Sequence, residues 1–307
     1  MNVTNELPPT PALSSPEPRL GRCWCWVRRL FAVLAALASV AVLVGYCRTE
    51  ARRNRRYDVR VALPQLPSSI AQLQRGEHLA KTLGGCAECH GADFGGQVMS
   101  EDAMIRLVAP NLTVGRGSAI RGFDDRDWVR AIVHGLNREN RSLLTMPAKE
   151  LGRFAAEDVA AIVAFLKTVP AVDRDLGAAR LKPLGHIVIG LVGAPVFSAE
   201  KVNHQQRYAQ LPPPAATREY GRYLTTVCRG CHGEDLRGGI VIHPGAPPSS
   251  DLSQAGTGNF SFDAFERALR QGQGRDGRTL DAAMPWRAMK DLTAEELRAL
   301  WLGLSQE

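Results

Sequence analysis

Cysteine is scarce in this chain, and none of it is spare. Of seven cysteines in 307 residues, Cys23, Cys25 and Cys47 lie in or beside an apolar amino-terminal run, and the other four sit in two short motifs. None is left elsewhere for a disulfide, so cross-links are excluded as the source of stability. Long uncharged runs are also scarce. Residues 30–47 form one, while Leu184–Phe197 is apolar but too short to span a bilayer and holds Pro195 and several glycines. Charge of one sign is missing outside the amino-terminal arms. Of 38 basic and 31 acidic residues, residues 1–60 hold ten and four, which leaves 28 against 27 for residues 61–307. The formal net charge of +7 therefore belongs to the arms, which excludes a nucleic-acid surface on the rest. Alternating strand patterns are absent too.

What is present is one pentapeptide, twice: Cys86-Ala-Glu-Cys89-His90 and Cys228-Arg-Gly-Cys231-His232. A bare Cys-x-x-Cys reads as a redox disulfide or half of a zinc site. The trailing histidine argues against both. Seven of 307 residues are histidine, so chance would put one after both pairs about once in two thousand. A zinc site also needs two more ligands close to each pair, and no further Cys-x-x-Cys exists. Cys-x-x-Cys-His is the attachment signature of c-type haem. Cys86 and Cys89, and again Cys228 and Cys231, are expected to form thioethers to one porphyrin each. His90 and His232 then ligate the two irons.

The surroundings of the motifs repeat as well. Cys86 and Cys228 are 142 residues apart, Asn111-Leu-Thr113 and Asp251-Leu-Ser253 are 140 apart, and Met146-Pro147 and Met284-Pro285 are 138 apart. The Trp128-Val-Arg130-Ala131 stretch matches Phe265-Glu-Arg267-Ala268 in the same way. This is one domain duplicated with short loop changes. The duplication also tests every candidate sixth ligand, usually methionine sulfur or histidine nitrogen. His134 falls opposite Gln271, His243 opposite Glu101, Met99 and Met104 opposite Val241 and Ala246, and Met289 opposite Leu151. His186 and His204 have no counterpart. Met146 and Met284 alone occupy the same place in both copies, each stiffened by the following proline. They are the expected second ligands of iron 1 and iron 2.

The two haem motifs, Asn111-Leu112-Thr113, the Asp127–Gly135 stretch and both Met-Pro pairs resemble class I cytochromes c. More closely they resemble the membrane-bound two- and three-haem cytochromes that serve bacterial respiratory dehydrogenases. The likeness covers about residues 67–307. It implies an all-α fold with two tandem class I cytochrome c domains behind one amino-terminal transmembrane helix. It also implies two covalently bound haem c groups and no catalytic residue. The expected function is electron transfer from a dehydrogenase or quinol-oxidising complex to a downstream acceptor such as an oxidase or another cytochrome, without catalytic activity of the chain's own. In such proteins the Asn-Leu-Thr segment lies near a haem edge, and Asp251 departs from that pattern in the second copy.

The expected organisation is a disordered cytoplasmic tail (1–26), a transmembrane anchor (27–47), an Arg-rich stalk and linker (48–69), a first cytochrome c domain (70–172), an inter-domain strap packed across both haem domains (173–213) and a second cytochrome c domain (214–307). No small-x-small cleavage site follows the apolar run, which favours an uncleaved anchor over a signal peptide. Arginines flank it on both sides and suit anionic headgroups, but leave orientation open. Because the resemblance implies haem attachment outside the cytoplasm, the haem domains are expected in the bacterial periplasm, held at the inner membrane. Helices are expected over Ile70–Leu83, from an Asp124 cap to about Leu136, over Glu157–Val169, and at Tyr220–Val227, Phe262–Arg270 and Ala294–Leu304. The rival functions are a di-haem peroxidase or thiosulfate-oxidising enzyme, which needs an open or displaceable ligand position, and a tethered redox or gas sensor, for which the short tail offers no output.

Overall fold

The computed structural model describes residues 20–242, 245–257 and 261–305. The expected tail as far as Arg19, and His243, lie outside these residues. Helix α1 spans Leu20–Asn54, so it outruns the apolar run by almost two turns into the expected stalk. It is the one described helix long and apolar enough to cross a membrane, by length and composition. Trp26 and Tyr46 are exposed near the two ends of the run. The twenty helical steps from one to the other make about 30 Å of helix, the thickness of a bilayer core.

Two helix pairs flank the Cys-x-x-Cys-His motifs. Helix α2 (Ile70–Lys81) opens on a Ser69 cap and crosses α6 (Ala156–Leu166). Their backbones touch at Gly76, where a Cβ would lie 1.9 Å from the Ala161 carbonyl oxygen. Helix α8 (Arg218–Leu224) opens on a Thr217 cap and crosses α13 (Ala294–Leu304), which begins with the Thr293/Glu296 capping box. The contact there is at Gly221, where a Cβ would lie 1.8 Å from the Ala299 carbonyl oxygen. Between the members of each pair stand the motif helices, α3 (Cys86–His90) and α9 (Arg229–His232). The amphipathic helices α4 (Asp125–His134) and α11 (Phe262–Gln271) follow them, and then the short turns α5 (Ala148–Leu151) and α12 (Trp286–Met289). A further turn, α10, covers Gln254–Thr257.

The two pairs share a buried polar seam. Arg75 of α2 donates to both Asp158 oxygens at 3.1 and 3.0 Å and to Glu296 of α13 at 3.1 Å. His78 meets the other Glu296 oxygen at 2.7 Å, and the Tyr223 hydroxyl donates to Asp158 at 2.7 Å. Asp158 and Glu296 are 1% and 4% exposed, so their charges depend on these partners.

The expectation of an all-α fold needs one correction. Helix makes up 47% of the structure, but strands β1 (Gln97–Glu101), β2 (Ile105–Ala109) and β3 (Arg180–Leu181) form a small antiparallel sheet in the order β1-β2-β3. Its hairpin turns at Asp102, whose side chain accepts the Met104 and Ile105 amides. Met99 is an extra residue in β1, a bulge that upsets the two-residue period the eye looks for. Residues 172–181 close over the first pair's loops, and helix α7 (Pro183–Val192) packs against α1.

Candidate haem sites

Both motif histidines are held in the same way. His90 Nδ1 lies 2.8 Å from the Pro110 carbonyl oxygen, and His232 Nδ1 lies 2.7 Å from that of Ser250. A carbonyl oxygen only accepts, so Nδ1 carries the proton and Nε2 keeps a free lone pair. A carbonyl partner of this kind fixes the tautomer of a metal-binding imidazole. Burial lowers the pKa of both rings, against the opposing pull of those carbonyls, so they are held neutral. The four thiols are unpaired and half-buried. Burial pushes Cys86 and Cys228 up to about 12 and raises Cys89 and Cys231 as well. Thiols of this sort are protonated at neutral pH and are not ready thiolate nucleophiles. Among the described residues no three His, Cys, Asp or Glu side chains gather as a metal site.

The two Met-Pro pairs also share one geometry. Pro147 has φ −78° and ψ 48°, and Pro285 has φ −79° and ψ 50°. The Ala148 amide donates to the Met146 carbonyl at 2.8 Å, and the Trp286 amide donates to that of Met284 at 2.8 Å. Each is an inverse γ-turn that presents the methionine at its first position. Upstream, Gly135 and Gly272 end α4 and α11 at φ 63° and 65°. Their carbonyls receive the amides of Leu143 (2.7 Å) and Leu280 (2.6 Å). Positive φ favours glycine at both places.

In the first half these groups face one cavity of about 890 Å³. Cys86, Cys89, His90 and Met146 line it, and Trp128, Ile132, Leu136 and Phe197 supply apolar wall. Asn111 and Leu112 line it too, as expected of the Asn-Leu-Thr segment. The Asn111 amide nitrogen donates to the Val172 carbonyl at 2.7 Å, and its oxygen accepts the Thr113 amide at 2.8 Å. Asn111 thus ties the cavity rim to the segment that closes over it. Arg141 also lines the cavity, and its Nε is buried without a partner. Two thiols, an imidazole with a free Nε2, a thioether sulfur and an orphaned guanidinium nitrogen fit a covalently held haem with an acidic propionate. In the second half Cys228 and Met284 are partly buried against the core, and Asp251 accepts the Ser253 amide at 2.8 Å.

Sequence reasoning set aside several residues that the structure places near this cavity. The bulged Met99 and His186 both line it. His186 Nδ1 lies 3.1 Å from Glu50, on α1. His134 and His204 meet each other, with their Nδ1 atoms 3.2 Å apart. Trp128 and Phe265 are buried in helix packing, as expected. The contact between the two halves was not foreseen. Helix α5, which follows Met146-Pro147, rests on the second motif: Glu150 lies against Gly230, and Lys149 and Arg153 reach Glu234 at 2.6 and 2.7 Å.

Comparison with known proteins agrees with the first half. The family model described as cytochrome c oxidase, cbb3-type, subunit III, matches residues 71–166. Residues 71–166 are a class I cytochrome c domain. Such a domain holds haem c and transfers electrons. Relatives of the chain include the fructose dehydrogenase cytochrome subunit of Gluconobacter japonicus, 31% identical over 104 residues (31% of this chain, 21% of that protein). The quinone-dependent alcohol dehydrogenase cytochrome c subunit of Gluconacetobacter polyoxogenes is 31% identical over 105 residues (30% and 22%). The gluconate 2-dehydrogenase cytochrome c subunit of Pantoea cypripedii is 30% identical over 94 residues (26% and 21%). The aligned part of the chain spans about a fifth of the length of each of these proteins.

Proposed function

We propose that this chain is a membrane-anchored, two-haem electron carrier of the bacterial periplasm. It takes electrons from a dehydrogenase or quinol-oxidising complex and passes them to a downstream acceptor, and it has no catalytic activity of its own. Residues 70–172 and 214–307 are the two haem domains, 173–213 join them, and 27–47 anchor them in the inner membrane. The observation that carries this reading is the repeated pair of ligand supports, the Nδ1 bond to a backbone carbonyl and the Met-Pro γ-turn, at matched positions in both halves. A haem c bound in each place supplies one-electron transfer at its iron. Cys86 and Cys89, and Cys228 and Cys231, hold the porphyrin. His90 and His232, oriented by their carbonyl partners, would ligate the irons, and Met146 and Met284, presented by their turns, would supply the second ligands. Methionine sulfur would favour the reduced iron and, as second ligand, would leave no room for a substrate. The seating of α5 on the second motif supports electron exchange within one chain. The relatives named above are all cytochrome subunits of dehydrogenases, which supports a dehydrogenase as donor.

The test is a haem count and two variants. Pyridine haemochrome of the purified chain is expected to give two c haems, and one haem would overturn the reading. Met146→Ala and Met284→Ala are each expected to convert one of the two haems to a carbon monoxide-binding form. An unchanged spectrum and potential in either would remove that methionine as the ligand. Rapid peroxide turnover by the unmodified chain would place it among the peroxidases instead.

A further inference from the structure

Helix α7 is uncharged from Pro183 to Val192, yet it is only half covered. One face packs on α1. A Cβ on Gly190 would lie 1.9 Å from the Gly45 carbonyl oxygen, and one on Gly45 would lie 2.5 Å from that of Ile187. The Thr49 hydroxyl donates to the His186 carbonyl at 2.7 Å, and the Tyr46 and His186 rings stack at 5.0 Å. The other face is bare, with Leu184, Leu191 and Val192 at 48%, 46% and 70% exposure. The level of this crossing decides what covers it. Residues 45–49 include the end of the uncharged run at Cys47 and the first charge after it, Arg48. Leu43 and Val44, one turn earlier on α1, are bare as well. The apolar surface of α7 therefore continues that of the anchor.

Charge appears where the apolar surface stops. Arg48, Ala51 and Arg52 enclose a cavity of about 430 Å³ with Gly190, Leu191, Val192 and Gly193. Arg52 is engaged, with Glu200 at 2.6 Å and the Ala194 carbonyl at 2.8 Å. Arg48 is exposed and has no acidic partner among the described residues. An uncharged helix beside a bilayer-length helix, rimmed by a free arginine, has the chemistry of an interfacial element.

We propose that α7 is a second membrane contact, seated in the boundary between headgroups and acyl chains where α1 leaves the bilayer. Leu184, Leu191 and Val192 meet acyl chains, and Arg48 meets the phosphate of one phospholipid in the cavity beside them. The proposal rests on α1 being a membrane anchor. Its consequence is orientation. A single helix leaves the attached domain free to swivel, whereas a second contact fixes it. His186 belongs both to the α1–α7 contact and to the wall of the first haem cavity. The seating of α7 therefore sets the height of that cavity above the membrane.

The full haem-loaded chain would be reconstituted in vesicles of phosphatidylcholine and phosphatidylglycerol carrying a diazirine-tailed phospholipid, and adducts mapped by peptide mass spectrometry. Adducts on 184–192 as well as on 24–47 are expected. Labelled α1 with a blank 184–192 overturns the proposal and points to a protein partner on that face. No label on either helix defeats the anchor reading instead. Leu191→Glu with Val192→Glu is expected to abolish labelling of 184–192 while the haem spectrum stays unchanged, and persistent labelling overturns the proposal. With a diazirine on the phosphatidylglycerol headgroup, Arg48→Gln is expected to cut adducts at 190–193 about fivefold, the equivalent of about 1 kcal/mol per arginine at an anionic surface. An unchanged yield, or full protection by inorganic phosphate alone, overturns the lipid phosphate site.

Discussion

Above Gly135 the backbone is covered by Ala148 and by Ser198 from the connecting segment, whereas above Gly272 the same surface is covered by the ring of Trp286. Trp286 stands where the first half has Ala148, directly after the Met-Pro pair. The first half is thus closed by a strand of chain from outside it, and the second by a large side chain of its own. The same contrast recurs at the loop after each motif histidine. Asn111 donates to the carbonyl of Val172, while Asp251, a carboxylate, has no hydrogen to give and accepts from the Ser253 amide of its own turn. The hairpin of the first half has as its counterpart an exposed Ile240-Val241-Ile242 run in the second. What the halves share is what aims the candidate ligands, and what differs is how each site is roofed. Ligand geometry tolerates little displacement, while a roof needs only to exclude water.

The comparison can be broken most severely at the seam that joins the halves. Arg75→Ala leaves the carboxylates of Asp158 and Glu296 buried without their cation, and a loss of about 3–5 kcal/mol is expected in denaturant unfolding. If the halves were independent, the variant would separate two transitions instead of lowering one. Next in size are the matched crossings. Gly76→Ala and Gly221→Ala each drive a methyl into a carbonyl and should each cost about 1–3 kcal/mol. Unequal thermal shifts would show that one crossing carries more of the fold than its counterpart. Smaller again is the exchange of loop residues. Asn111→Asp should lose about 1–3 kcal/mol because the Val172 carbonyl loses its donor. Asp251→Asn should stay within about 0.5 kcal/mol, as surface changes do. Equal effects would erase the distinction between a tied and an untied roof.

The last test uses pH and the His134–His204 pair, which ties the first half to the connecting segment. Burial, then the nearby His204 and Arg130, hold His134 down to about 4. In the unfolded chain it titrates near its ordinary value of about 6.5. Between these values the unfolded state binds more protons, so stability falls as pH drops from about 6.5 towards about 4. His134→Gln should flatten that part of the stability curve, as followed by thermal unfolding at a series of pH values.

Short-range features are legible in the order of residues alone. The motif histidines, the Met-Pro pairs and the Asp124 and Thr293 caps are defined within a few residues, and the expected helix Ala294–Leu304 appears with the same ends. The Cys-x-x-Cys-His spacing and its duplication mark where cofactor chemistry could reside, because covalent attachment and ligation need fixed residue types at fixed distances. The sheet escaped notice because β1 is exposed along most of its length and carries a bulge, so neither alternation nor burial marks it. The Arg75 seam, the His134–His204 pair, the seating of α5 on the second motif and the crossing of α7 on α1 join residues about 70 to 220 positions apart. No local pattern encodes such pairings, since each depends on which surfaces remain uncovered once the helices have packed. The order of residues alone names, in each half, the side chains that are candidates to hold a cofactor. How the halves meet, what roofs each site and which face of α7 turns towards α1 follow from long-range packing, which emerges only once the helices have folded together.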